Sequence, residues 1–102
     1  MQDHLKNMLN EIQSGTAQLL DVREQGEWDM GHLKLAVLAP LSELSEEKLP
    51  EGLDLAKRTY LHCRSGQRVR SAAPILEDMG FADVIPLHEG FDELVEEGFA
   101  EA

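Results

Sequence analysis

Apolar residues recur in two alternating rhythms along the chain. Leu5, Met8, Leu9 and Ile12 follow one another at three- and four-residue spacing, which predicts an amphipathic helix over 5–12 with Gly15 as its stop. Gln18 to Val22 is a short apolar run closed by charge, the pattern of a buried parallel strand. A helix over 24–30 follows, ended by Gly31-His32, and then a strand over 35–38 stopped by Pro40. Leu41 to Leu44 makes one helical turn, and the polar stretch Ser45 to Gly52, broken by Pro50 and Gly52, reads as a surface excursion. The central strand spans 57–63. A helix over 69–79, closed by Gly80, leads to a last strand over 84–87, and Phe91, Leu94, Val95 and Phe99 mark a final amphipathic helix that continues to the C-terminus. Pro74 falls inside the penultimate helix, where it removes a backbone donor and predicts a kink or a late helix start. Short strands alternating with helices require crossover connections, so the fold class is α/β: a small domain with a central parallel sheet covered by helices on both faces.

With 102 residues, 42% of them hydrophobic, the chain is expected to form one domain over 1–102 with one core. No apolar run reaches the ~20 residues a membrane span needs, and the N-terminus lacks the pattern of an export signal, so a cytoplasmic protein is the expectation. A net charge of -11 argues against nucleic acid and anionic membranes as partners. The distribution changes this picture locally. Five of the nine cations, Lys57, Arg58, Arg64, Arg68 and Arg70, lie within fourteen residues, and no Lys or Arg follows Arg70. Lys57 and Arg58 are expected to balance nearby carboxylates, leaving a positive loop suited to a small anion.

That loop holds the one cysteine, Cys63, where a strand gives way to a helix. Unpaired amides and the positive end of the helix dipole at such a junction favour an anion and lower a thiol's pKa, which points to an activated thiolate. Gly66 allows a tight turn with amides inward. The alternative for Cys63 is a small buried hydrophobe. One cysteine forms no internal disulfide. Asp21 and Arg23 at a strand end read as a structural ion pair, and Arg23 also lies four residues from Glu27, within pairing reach on a helix. His62 and Cys63 should point to opposite faces of the sheet, which argues against an acid–base partnership. His32 is given no catalytic role either, Trp28 reads as packing, and the four histidines lack metal-ligand spacing.

Asp21-Val22-Arg23-Glu24, then Glu27-Trp28, Gly31-His32-Leu33, Ala36 and Pro40-Leu41, and above all Cys63-Arg64-Ser65-Gly66-Gln67-Arg68-Val69-Arg70-Ser71, resemble a single-domain rhodanese, a thiosulfate-type sulfurtransferase. The resemblance spans about Leu19 to Phe99. It implies a sulfane sulfur carried on Cys63 as a persulfide, a cradle formed by Cys63, Arg64, Ser65, Gly66, Gln67 and Arg68, and a pocket flanked by Arg64 and Arg68. It implies a small anionic sulfur donor and a cyanide or thiol acceptor, with a thiol protein among the candidates. No metal or organic cofactor is needed by this chemistry. The chain departs from the family near its end, where Glu89-Gly90-Phe91 stands for the frequent Gly-Gly pair; a carboxylate at the pocket rim would disfavour anionic donors. Two rival functions share the loop. Cysteine-dependent phosphatases and arsenate reductases place an arginine six residues after the cysteine, but that position is Val69. A non-enzymatic sulfur carrier or regulatory module would use the same cysteine and dock a partner, for which the acidic last helix is a candidate face.

Overall fold

A computed structural model describes residues 1–102 as nine elements. They are α1 (Asp3–Gln13), β1 (Ala17–Asp21), α2 (Gln25–Asp29), β2 (Ala36–Leu38), α3 (Leu41–Leu44), β3 (Arg58–His62), α4 (Arg68–Asp78), β4 (Asp83–Pro86) and α5 (Phe91–Glu97). All strand pairs are parallel, in the order β2-β1-β3-β4. Because the chain builds outward from β1 first to one side and then to the other, the order reverses between β1 and β3. The carboxyl ends of these two strands lie in register, Asp21 opposite His62, and this is the place where open parallel sheets accept ligands.

Alternation along the two middle strands divides the core. Ala17, Leu19 and Tyr60 pack with Leu5 and Met8 of α1 and Leu94 of α5. Leu20, Val22, Leu61 and Cys63 turn the other way, against Leu44 of α3 and Val69, Ala72, Ala73 and Leu76 of α4. Helices therefore cover both faces, as the α/β pattern requires. β1 and β3 are buried between two apolar layers, which is why neighbouring residues on each, Leu19 and Leu20, Tyr60 and Leu61, are apolar on both faces.

The element bounds differ from the sequence expectation by one or two residues except in the last helix, which ends at Glu97, where Gly98 turns left-handed, rather than at the C-terminus; several finer expectations change. β2 is shorter, beginning at Ala36, and Leu35 is left exposed. The late start expected from Pro74 does not occur: α4 begins at Arg68 and continues through the proline to Asp78. Pro74 lies on the exposed side of α4 next to buried Ala72 and Ala73, so its missing donor falls on the water side of the helix. Arg58 bonds Asp83 at 2.9 Å and Glu11 at 3.2 Å, as a balancing cation should, whereas Lys57 forms no ion pair. Trp28 joins neither core layer; it stacks on His32 with ring centroids 3.7 Å apart. No helix is long and apolar enough to cross a membrane.

Leu61, fully buried on the middle strand, touches the α3–α4 layer directly beneath the cysteine loop. Leu61→Ala is expected to lower unfolding free energy by about 2–5 kcal/mol through lost apolar transfer and a residual cavity. Urea denaturation of the two chains checks this, and a loss below about 1 kcal/mol would contradict the packing described.

Candidate active site

Cys63 stands one residue past β3, and the chain from Arg64 to Gln67 turns back so that α4 begins beside it. Its sulfur is aimed at the α4 layer and the residue is only 1% exposed. The Gly66 N–H donates to Sγ at 3.2 Å. Burial by itself raises the thiol pKa, but the backbone N–H groups of Val69, Ser65, Gly66 and Arg68 act together in the opposite direction and prevail, so the thiol titrates below its ordinary value. The side chains of Arg64, Ser65 and Gln67 point into solvent and make no hydrogen bond. Val69 joins the cradle as an amide donor, a role hidden from a residue-type reading because any helix-start residue supplies the same N–H.

Two glycines let a second segment close over this loop. A side chain at Gly66, where φ is +82°, would place its Cβ 2.6 Å from the His88 carbonyl oxygen. One at Gly90 would come within 1.9 Å of the Arg64 carbonyl oxygen. The adjacent Phe91 N–H donates to the Cys63 carbonyl at 3.0 Å, which ties the start of α5 to the loop. The turn at Glu89-Gly90-Phe91 thus forms with a single glycine. Glu89 does not reach the rim as expected: its Oε2 meets His4 Nε2 of α1 at 2.8 Å, and Oε1 is buried without a partner. The side chain leaves on the α1 side because the other side is filled by the loop itself.

The arginines divide the work differently from the expectation. Arg68 turns from the loop to α2, where Nη1 and Nη2 each bond one oxygen of Glu27, at 2.5 and 2.9 Å. The Arg68 guanidinium beside Glu27 is the main reason its carboxyl titrates low, at about 2. Arg23, which lies within helical reach of Glu27, bonds Asp21 instead: Nε meets both carboxylate oxygens at 3.0 Å and Nη2 meets Oδ2 at 2.8 Å. Asp21 also faces His62, whose Nε2 lies 3.6 Å from Oδ2, while His62 Nδ1 sits 3.3 Å from the Cys63 carbonyl. His62 is fully buried on the α5 side, opposite the sulfur, as alternation predicted; burial is the main cause that lowers its pKa.

Beside the loop opens a cleft of about 250 Å³ lined by Arg23, Glu27, Met30, Gly31, Arg64, Phe91 and Asp92. Arg64 therefore flanks a pocket, while Arg68 is withdrawn into its pair. Glu27, Phe91 and Asp92 were not singled out as site residues from the sequence. Glu27 stood in the sequence as part of the family motif and within reach of Arg23, whereas its actual partner, Arg68, lies 41 positions away. No group of three or more His, Cys, Asp or Glu side chains is arranged to hold a metal ion.

The rhodanese-like domain profile matches residues 2–97. The uncharacterized Bacillus subtilis protein YqhL is 39% identical over 75 residues, covering 74% of this chain and 58% of YqhL. The putative sulfur carrier protein YrkF of the same organism is 36% identical over 72 residues, covering 71% of this chain and 38% of YrkF. The chain thus spans only part of the length of these curated relatives. The human single-domain sulfurtransferase TSTD1 is similar in fold, with a TM-score of 0.78 at 24% identity over 91% of this chain and 93% of that one.

Two substitutions test how the loop is held. Gly90→Ala is expected to cost about 1–3 kcal/mol, because backbone must move to admit the methyl group, and to raise the Cys63 thiol pKa as the loop shifts; thiol alkylation against pH reads the second effect. Glu27 titrates lower in the folded chain than its ordinary 4.5, so its contribution to stability is complete above that value and is lost as pH falls toward about 2. Glu27→Gln should therefore destabilise by roughly 1–2 kcal/mol at neutral pH and flatten the acid limb of stability, measured by denaturation across pH.

Proposed function

The chain belongs to the rhodanese-like domain family, and we propose that it transfers sulfane sulfur through a persulfide on Cys63, taking it from thiosulfate or another small anionic donor and passing it to cyanide or a thiol. The observation that carries this reading is a buried sulfur that accepts the Gly66 N–H at 3.2 Å within the Ser65–Val69 turn, whose amides lower the thiol pKa. Only a thiolate attacks a sulfane sulfur at a useful rate, and the amides hold the sulfur charged without a general base.

In the first step the Cys63 thiolate attacks the outer sulfur of thiosulfate. The new Cys63 S–S bond forms as the old sulfur–sulfur bond breaks, and sulfite leaves with the electron pair. In the second, the acceptor nucleophile attacks the terminal sulfur and the Cys63 thiolate departs with the bonding pair, restoring the starting state. The same amides favour the anionic sulfur at both ends of the cycle. Arg64, with no ion-pair partner, supplies a cation at the entrance, and Ser65, Gly66 and Arg68 act through their backbone. Gln67 spaces the turn. Arg68 acts by position rather than by charge, since Glu27 answers its guanidinium.

A second reading is favoured by the near-complete enclosure of the sulfur and by similarity to a protein named as a putative sulfur carrier. In it Cys63 accepts sulfur and releases it only to a docked protein thiol. Slow thiosulfate-to-cyanide turnover with rapid transfer to a protein thiol would select it. Phosphatase or arsenate reductase chemistry is disfavoured because the position for the anion-binding arginine is Val69, a fully buried apolar residue.

Mass spectrometry after thiosulfate treatment is expected to find one added sulfur on the Cys63 peptide, absent in Cys63→Ser, which should also lose transfer. Since the folded thiol titrates low, the rate of sulfur uptake should hold below the ordinary thiol range and fall only as pH drops through the depressed pKa. Uptake that declines already near pH ~8.5, or turnover by Cys63→Ser, would overturn the mechanism.

A further inference from the structure

The cleft beside the loop contains a nearly buried cation with one donor left over. The Arg23 side chain is 6% exposed. Its Nε and Nη2 are committed to Asp21, and Nη2 also reaches the Gly31 carbonyl at 2.8 Å. Nη1 has no partner in the chain, yet it is not among the sealed unpaired atoms, so it opens into the cleft that Arg23 lines. The guanidinium is held there by its contact over the Phe91 ring, 4.3 Å from the centroid.

The charges around this donor nearly cancel. Asp21 answers Arg23, and Arg68 answers Glu27. That leaves one exposed cation, Arg64, and one exposed anion, Asp92, neither in an ion pair, on the wall of the same cleft. Met30, 92% exposed, and Phe91 supply its apolar and polarisable surface. A dianion placed here would face Asp92, whereas a zwitterion meets both signs. The volume, about 250 Å³, is that of roughly eight waters at ~30 Å³ each, room enough for a small amino acid.

We infer that this cleft binds a small thiol of the α-amino-acid type, its carboxylate on Arg23 Nη1 and the Arg64 guanidinium and its ammonium on Asp92. The sulfur-bearing side chain lies against Phe91 and Met30. Arg64 follows Cys63 in the chain, so the ligand is held beside the loop. That the ligand is a sulfur acceptor rests on the persulfide reading above; that it is a zwitterion rests on the cleft alone.

Amide NMR on the full chain with S-methyl-L-cysteine, which cannot take up sulfur, tests binding apart from turnover. Shifts are expected at Gly31, Arg64 and Phe91, with affinity about five-fold or more above that of 3-(methylthio)propionate, which lacks the ammonium, and of 2-(methylthio)ethylamine, which lacks the carboxylate. Asp92→Asn should bring S-methyl-L-cysteine to within about two-fold of the propionate, while Arg64→Gln should weaken both carboxylate probes. Both residues are exposed, so unchanged spectra elsewhere will verify folding. Equal affinity for all probes, shifts confined to other surfaces, or no shifts at all would overturn the subsite. Binding as expected in a chain whose Cys63 takes up no sulfur would leave the subsite standing and remove only the acceptor role.

Discussion

Favouring the charged form of a sulfur almost closed to water is the constraint on which the rest of the structure depends. Removing a charge from water is costly unless polar groups replace its hydration. Here the replacement is a set of backbone amides, which need no side chain to be positioned but do need the chain to turn sharply between β3 and α4. The parallel sheet fixes where that turn begins, because Cys63 emerges from the middle of the sheet beside the end of β1. The α4 layer fixes where it ends, through buried Val69 and Leu76. The thiol's low pKa is thus a result of packing as much as of electrostatics.

The ion pairs around the loop follow from the same constraint. Two arginines near the sulfur are each matched by a carboxylate, Arg23 by Asp21 two residues before it and Arg68 by Glu27 from α2. Buried or half-buried pairs of this kind add little net stability, but breaking one leaves a charge without an answer. Their effect is positional: Glu27 links α2 to the first residue of α4, and Asp21 holds Arg23 and faces His62. The positive island visible in the sequence is accordingly reduced to Arg64 and Arg70 as exposed, unpaired cations near the cysteine.

Much of this was legible in the chain itself. Strand and helix rhythms placed the elements to within a few residues, because β1 and β3 are buried on both faces and α1 and α5 on one. Alternation correctly separated His62 from the Cys63 sulfur. What could not be read were contacts made by geometry rather than by residue type. Glu27 was assigned to Arg23 by helical spacing, but Asp21 lies closer to Arg23 and Arg68 arrives from another layer. Pro74 predicted a kink or a late helix start, and the late start does not occur because the proline lies on the exposed side of α4. Glu89 looked like a rim carboxylate only because the sequence does not say which side of a turn a side chain takes.

The apposition of Gly90 and Gly66 against the loop has a consequence for how such a site diversifies. Both positions are filled by neighbouring backbone, so neither admits a side chain without displacing main chain. Arg64, Ser65 and Gln67 lie between or beside them with their side chains turned outward. Changes there leave the amide geometry untouched while altering whatever approaches it. The shape of the loop is written in glycine and backbone, and the surface it presents in the side chains between; drift can therefore alter the second without dismantling the first.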